Sequence, residues 1–382
     1  HSLFTFPIGL LGEVEIARHL NKRTREILRA LDMLVIDEIS MVSADLMDGI
    51  DRALRIARGR KNEPFGGAQI VMFGDPYQLA PVPPRDPSEK NYIAENYQSL
   101  WFFDAHVWRN SELERFELSE IFRQSDDDFK EILNAIRDGS VTQAMLDVLN
   151  KAGNRYPPHL DVIRLATINE TVNAVNHQRI ELIETDPKIF KAVYSEGAAK
   201  AFGRALPAET ELALKVGAQV MFIKNDDASS NKTSNGSAIR RWVNGTIGRV
   251  VALPKSGLVV VDVDGEQLEV GPATWEKIRY EVEQDFDEST GKTKETLVPV
   301  TLAEFKQIPL RLAWAVTIHK SQGQTYDEVQ IDMGRGAFSP GQTYVGLSRV
   351  RTLGGLYLTR AILIRDVMVD SDVVRFMSGA QI

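Results

Sequence analysis

Two apolar runs that each break off at acidic or amide side chains constrain the fold of this chain more than any other feature. Met33-Leu34-Val35-Ile36 leads directly into Asp37-Glu38, and a second run over Gln69–Phe73 leads into Gly74-Asp75-Pro76-Tyr77-Gln78. An uninterrupted short apolar run predicts a strand buried on both faces, the pattern of a parallel sheet covered by helices. The neighbouring segments 14–30 and 44–59 are polar with Ile, Leu and Ala at helical spacing. Strand, helix, strand, with polar chemistry at the strand ends, predicts an open α/β sheet that binds its ligand beyond the carboxyl ends of its strands.

Further along, Pro81, Pro83, Pro84 and Pro87 interrupt regular structure ahead of a charged, aromatic stretch at 88–108. Residues 129–138 read as a helix stopped by Gly139, and 161–169 as a strand ending in Thr167 and Asn169, followed by another helix. After about residue 215 the pattern changes to short β-branched runs separated by Gly, Asn and Asp, which predicts a small antiparallel barrel. Residues 225–238 have almost no apolar side chain and are expected to form a loop, and the acids Glu281, Glu283, Asp285, Asp287 and Glu288 are expected at a hairpin tip. The apolar stretch 310–319 and a candidate strand within 354–363 return to α/β style. An antiparallel module inserted into a second α/β unit is the expected organisation.

Composition excludes several classes. The 382 residues suffice for two or three domains, and 43% hydrophobic with 26% charged residues is an ordinary globular balance. No apolar run reaches the roughly 18 residues of a membrane span, and the segment HSLFTFPIGLL lacks the marks of a secretory leader, so neither membrane insertion nor secretion is expected. The absence of Cys removes thiolate chemistry and cysteine-ligated metals, and the scattered histidines lack zinc spacing. A net charge of -8 excludes binding to nucleic acid by bulk charge but not a local basic groove.

Adjacent carboxylates such as Asp37-Glu38 suit metal-dependent phosphoryl transfer, in which one holds Mg²⁺ and the other orients and deprotonates an attacking water. Acid pairs also end strands for no chemical reason, so this pair gains weight only from its company. Gln78 could sense a γ-phosphate, although its segment also reads as an ordinary turn. Arg123, in IFRQ, and Arg349, in YVGLSRVRTLGGLYL, could clamp a phosphate with fixed donors, or equally serve in salt bridges. The polar run from Thr317 to Thr325 suits a loop touching both nucleotide phosphate and a nucleic-acid backbone, with a plain polar turn as the other reading. Tyr97, Trp101, Phe102, Phe103, His106 and Trp108 read mainly as core, with base stacking as the alternative.

Taken together, LVIDEISMVS, VMFGDPYQLAPV, LSEIFRQ, VNGTIGRV, AWAVTIHKSQGQT and YVGLSRVRTLGGLYL stand in the order and approximate spacing of superfamily 1B DNA helicases. The chain most resembles the petite-integration-frequency (PIF) branch, with RecD-like helicases as near relatives, and the resemblance covers nearly all of it. It implies an α/β fold of two RecA-like P-loop NTPase domains, the first incomplete, with an inserted SH3-like β-barrel module. The implied division is 1–125 for the partial first domain, with a small wedge region at about 82–103. Residues 126–214 and 306–382 would form the second domain, and 215–305 the inserted module.

The resemblance also implies an ATP-dependent, 5′→3′ DNA helicase that uses ATP and Mg²⁺. Single-stranded DNA and forked or partial-duplex DNA would be its partners, a monomer its state, and DNA repair, recombination and telomere maintenance its settings. The compartment would be cytoplasm or nucleoid in a bacterium or phage, and nucleus or mitochondrion in a eukaryote. By the same resemblance Asp37 ligates Mg²⁺, partly through water, and Glu38 is the catalytic base. Gln78 senses the γ-phosphate, Arg123 and the arginine finger Arg349 contact the β/γ-phosphates, and Gln322 and Gly323 close on the nucleotide. Thr317, His319, Lys320 and Ser321 couple nucleotide state to the DNA backbone, Thr167 and Asn169 grip phosphate, and His1, Ser2 and Phe4 contact DNA.

One element of the family pattern has no counterpart. No GxxxxGK[ST] loop precedes Asp37, and Gly291-Lys292-Thr293 lies in the antiparallel module without the upstream Gly. The expectation is an incomplete chain whose phosphate loop belongs immediately before His1, inactive in hydrolysis by itself. A single-stranded-DNA-binding protein descended from such a helicase is the alternative. An NTPase of nucleotide signalling is disfavoured, since the 317–325 run and the inserted module would then lack a strand to track.

Overall fold

Parallel pairing of the two runs that end in polar loops organises the first part of the chain. The structure is a computed structural model and describes residues 3, 4, 6, 16, 20, 22–84, 86–159, 161–202, 206–227, 240–287 and 292–379, with backbone alone at 23, 278–287 and 292–300. Helix α1 (Lys22–Ala30) precedes β1 (Met33–Ile36); helix α2 (Ala44–Arg58) then carries the chain to β2 (Gln69–Met72). The two strands pair in parallel, Met33 opposite Gln69 and Ile36 opposite Met72. Helix α2 turns Met47, Ile50, Ala53, Leu54 and Ala57 into a core shared with Leu28 and Leu34, and its end is closed by Gly59 in the left-handed region.

Burial of β1 on both faces, as its composition predicts, is not what is found. Met33 and Val35 are 45% and 54% exposed, while Leu34 between them is buried. Strand alternation puts Met33 and Val35 on one face, and that face stays open among the described residues.

The Pro-rich stretch leads to helix α3 (Pro87–Asn96), whose first turn is capped by Asp86 accepting from the amides of Ser88 and Glu89, and which buries no residue. The aromatic residues after it are core: Tyr97, Trp101, Phe102 and Phe103 are all buried in the first cluster, and Trp108 packs at its edge.

Helices α4 (Asp127–Asp138) and α5 (Gln143–Gly153) begin a second unit, and β3 (Ile163–Ala166) and helix α6 (Asn169–Glu181) follow. The chain then makes an antiparallel excursion through β4 (Lys188–Lys191), β5 (Val193–Tyr194), β6 (Glu211–Leu214), β7 (Gln219–Phe222), β8 (Ile247–Ala252), β9 (Val259–Val263), β10 (Glu266–Val270), β11 (Ala273–Asp287), β12 (Lys292–Gln307) and β13 (Leu310–Leu312). Strands β14 (Ala315–Thr317), β15 (Val329–Asp332) and β16 (Leu356–Leu358) rejoin β3 in a parallel sheet of order β14-β3-β15-β16. The excursion holds a five-stranded antiparallel sheet, β10-β9-β8-β7-β13, with its own core of Val220, Phe222, Val250, Val261 and Leu310.

One expectation needs correcting. The stretch 310–319 is two strands of different sheets, β13 pairing antiparallel with β7 and β14 parallel with β3. The switch falls at Ala313-Trp314, where Ala313 N donates to Gln219 O and Trp314 O accepts from Arg164 N. The expected hairpin at 281–288 is formed by β11 and β12, which pair down to Asp287 opposite Lys292, so residues 281–287 run up to its turn. Glu288 lies outside the described residues, as do residues 228–239 of the expected loop.

Helix α7 (Gln342–Leu347) packs in the second unit, but the last helix, α8 (Ser371–Met377), returns to the first core. Phe376 stacks on Phe103 at 4.2 Å between centroids, and the Arg115 guanidinium lies 4.1 Å above the Phe376 ring. Trp101 Nε1 donates to Asp370 Oδ2 at 2.9 Å, just before the helix. No described helix is long and apolar enough to cross a membrane. Replacing Phe376 by Ala removes a ring that joins the chain's end to its first core, and should cost about 3–5 kcal/mol in urea unfolding.

Candidate functional site

The chain turns sharply where β1 ends. Asp37 is exposed, and its Oδ1 accepts from Glu38 N at 2.9 Å. Glu38 has φ 52 and ψ 49, a left-handed conformation that costs a non-glycine residue roughly 1–2 kcal/mol. The turn that follows is tied to the end of β2, since Ile39 N donates to Phe73 O at 2.9 Å. The Gly74–Gln78 loop is folded on itself by Asp75, which accepts from Tyr77 N at 3.1 Å. Arg137 of α4 donates to Asp75 Oδ1 at 3.4 Å and lies 4.6 Å from the centre of the Tyr77 ring.

The second unit closes on these loops. Gln322 Nε2 donates to Glu38 Oε2 at 2.8 Å and to Gln78 Oε1 at 3.3 Å, so side chains from three separate loops meet at one point. Gly341, with φ 74, stands at the start of α7 so close to the Gln78 loop that a Cβ there would lie 2.2 Å from Gln78 O. Only glycine meets both the left-handed backbone and the missing space.

The far end of α7 leads into Arg349, which is 1% exposed. Its Nε donates to Val345 O at 2.9 Å, Nη1 to Gln324 O at 3.3 Å and Nη2 to Ser348 Oγ at 2.8 Å. All three acceptors are neutral, and among the described residues no carboxylate forms an ion pair with it. Burial and the like charge of Arg123 push its pKa down to about 10. Arg123 is exposed, yet its neighbour Gln124 is buried and fixed by donating to Ser348 O at 3.0 Å and Val350 O at 3.1 Å. Two guanidinium groups are thus held near each other beside Glu38, Gln78 and Gln322. A site that holds two guanidinium groups close together, with no carboxylate bonded to Arg349, is suited to a polyanion.

The structure therefore brings together Asp37, Glu38, Gln78, Gln322, Arg123 and Arg349. Gly323 is exposed, with open space where a side chain would stand. Beside them, Thr317 and Ser321 are buried, and their hydroxyls serve the turn itself: Thr317 Oγ1 accepts from Lys320 N, and Ser321 Oγ donates to Ile318 O. Lys320 is exposed, and His319 is half-buried with its ring stacked 6.4 Å from Phe338. Thr167 is buried at the end of β3, and Asn169 is exposed as the first residue of α6. Phe4, expected from the resemblance to face DNA, lies instead in the first core against Phe6, since an aromatic ring gains more from burial there. His1 and Ser2 lie outside the described residues.

Gln124, Arg137 and Gly341 are missing from the sequence-derived set. Gln124 stands next to Arg123, and its burial was the one thing the sequence did not signal. Gly341 carried a signal in principle, a glycine opening an otherwise apolar helix.

The acid pair and facing amides stand beyond the carboxyl ends of a parallel strand pair with Arg123 and Arg349 beside them, in an α/β fold that matches the RecA-type helicases. Comparison with known proteins makes the assignment specific. Residues 1–146 match the family model for PIF1-like helicase. The chain is 30% identical over 358 residues to the ATP-dependent DNA helicase Pif1 of Bdellovibrio bacteriovorus, covering 93% of this chain and 72% of that protein. It is 33% identical over 334 residues to human ATP-dependent DNA helicase PIF1, covering 85% of this chain but only 45% of that protein. The crystal structure of Bacteroides sp. Pif1 in complex with ADP-AlF4 superposes with a TM-score of 0.78 at 32% identity, over 99% of this chain and 82% of that one. The chain belongs to the Pif1 family of superfamily 1B DNA helicases, and it spans about half the length of the vertebrate relatives it matches.

Two measurements test the local physics. Because Glu38 is left-handed, Glu38→Gly should be more stable than Glu38→Ala by about 1 kcal/mol, read by chemical denaturation. Burial lowers the pKa of His319 below its ordinary value of 6.5. An unfolded chain then binds the proton first, so the stability that neutral His319 contributes is present above about pH 6.5 and is lost as pH falls below it. The thermal midpoint should fall between about pH 7.5 and 5.5, and fall less in His319→Gln.

Proposed function

We propose that this chain is the motor portion of an ATP-dependent DNA helicase that translocates 5′→3′ on single-stranded DNA and unwinds forked or partial duplexes. The observation that carries the reading is Arg349: fully buried, bonded only to neutral acceptors, and set beside Arg123, Glu38, Gln78 and Gln322. A guanidinium in that setting is stabilised by a bound polyphosphate. The bacterial relative named above is called an ATP-dependent DNA helicase, and related Bacteroides structures hold ADP-AlF4 or single-stranded DNA.

The donor set fits ATP with Mg²⁺. The exposed carboxylate of Asp37 would hold the ion, directly or through water, and the ion would neutralise charge on the phosphates. Glu38 would orient the attacking water and accept its proton, aligned by Gln322, while Gln78 would sense the γ-phosphate. Arg123 and Arg349 would stabilise charge on the β/γ-phosphates, and Gly323 would allow close approach of the backbone. Of the DNA-facing residues, Lys320 and Asn169 would meet phosphate and His319 a neighbouring group, with Thr317, Ser321 and Thr167 shaping the backbone from beneath. His1 and Ser2 complete the proposed DNA contacts.

The proposed organisation is a first RecA-like domain over 1–125 with a wedge region at about 82–103, and a second over 126–214 and 306–382. An SH3-like insert covers 215–305, and β13 extends its sheet past that boundary. A monomer would suffice, because acid pair and arginines come from one chain.

The test is steady-state ATP hydrolysis with and without single-stranded DNA, on this chain and on a version extended upstream to include a GxxxxGK[ST] loop. DNA-stimulated turnover in the extended chain supports the motor; strand binding with no turnover in either form would mean a DNA-binding protein that has lost it. In the extended chain, Arg349→Ala should lower DNA-stimulated turnover by about 10³-fold or more while single-strand affinity changes no more than a few-fold. Unchanged turnover would remove Arg349 from the site.

A further inference from the structure

A largely buried arginine outside the phosphate-binding set reaches the Gln78 loop from the other unit. Helix α4 is anchored in the core of the second unit by Phe129, Ile132, Leu133 and Ile136, so Arg137 projects from a fixed base. Its Nη2 donates to Asp75 Oδ1 at 3.4 Å, and its guanidinium carbon lies 4.6 Å from the centre of the Tyr77 ring. The more exposed Glu117 stands 3.9 Å from the same nitrogen. Leu79, the residue after Gln78, is 1% exposed and sits in the same core as α4. The loop that leaves β2 of the first unit is thus fastened to the second by a buried leucine and an ion pair.

The two oxygens of Asp75 serve different partners. Oδ1 accepts from Tyr77 N at 3.1 Å and from Arg137, whereas Oδ2 accepts from Gln78 Nε2 at 3.4 Å. That leaves Gln78 Oε1 to accept from Gln322 Nε2 at 3.3 Å, and the same Gln322 nitrogen donates to Glu38 Oε2 at 2.8 Å. A carboxamide has one accepting end and one donating end. Turned the other way, Gln78 would set its oxygen against the Asp75 carboxylate and its NH₂ against that of Gln322, and both contacts would become repulsive. Asp75 therefore selects one of two orientations of Gln78, and Arg137, with Tyr77 beneath its guanidinium, keeps the Asp75 carboxylate aimed.

We propose that Arg137 is a positioning residue for ATP hydrolysis: through Asp75 it fixes the orientation of the Gln78 carboxamide, which in turn holds Gln322 on Glu38. Arg137 acts through Asp75, not on the nucleotide itself. The role rests on the reading of the site as one that hydrolyses ATP, and adds to it a relay that starts outside the phosphate contacts. Arg137 and Gln322 come from the second unit, and Asp75, Gln78 and Glu38 from the first, so the relay is complete only when the two units meet.

DNA-stimulated ATP turnover by the chain extended upstream through its phosphate loop tests the role. Arg137→Gln should lower kcat by about 10- to 100-fold while KM for ATP stays within about threefold, because the alignment of Glu38 is disturbed and the phosphate contacts are kept. Asp75→Asn should cost about as much, since an amide in that place no longer dictates the orientation of Gln78. The double variant should be no slower than the slower single variant, as expected for two members of one relay. Arg137→Lys, which keeps the charge but not the planar group over Tyr77, should recover part of kcat. Losses that multiply in the double variant, or a loss that Arg137→Lys does not recover and a lower thermal midpoint accompanies, would overturn the relay and leave Arg137 a structural residue. Should Arg137→Gln fail to fold, unchanged turnover in Asp75→Asn would overturn it by itself. Turnover left unchanged by Arg137→Gln would overturn the relay while the proposed function stands, and an extended wild-type chain without turnover would overturn both.

Discussion

A guanidinium removed from water and bonded only to neutral acceptors is the constraint around which the two halves of this molecule are arranged. Arg349 is surrounded by Val345 O, Gln324 O and Ser348 Oγ, which satisfy its donors but not its charge. Desolvating a cation with no bonded carboxylate is costly, and the surrounding elements hold it by over-determining its position. Helix α7 begins against the Gln78 loop through Gly341 and ends at Arg349. The Gln124 side chain pins Ser348 O and Val350 O on either side of it. The same few contacts that align the arginine also bring the second unit onto the acid pair of the first.

The left-handed Glu38 belongs to the same economy of strain. Its conformation throws the carboxylate away from the axis of β1 and into reach of Gln322, where an ordinary strand exit would not put it. Strain concentrated at one residue of a site, with extensive packing beneath it, is how a fold holds a side chain in a single uncommon geometry.

Much of this was legible in the sequence because it depends on local composition. Apolar runs ending in Asp37-Glu38 and in Gly74–Gln78 identify strand ends, and Arg349 between apolar residues reads as a rigid cation. What was not legible depends on long-range placement. Nothing in Leu310–His319 marks a change of sheet at Ala313-Trp314, since neither glycine nor proline stands there and both halves are apolar. The exposed face of β1 has the same composition as a covered one.

The return of α8 to the first core changes what kind of joint the molecule has. The chain leaves the first unit through the segment before α4 and comes back after β16, with Phe376 seated on Phe103. Two crossings in place of one turn a tethered pair into a closed covalent-and-packed loop. Each crossing shortens the chain that would otherwise have to be ordered, so holding the Gln322 loop against the Gln78 loop costs less chain entropy than a single linker would demand.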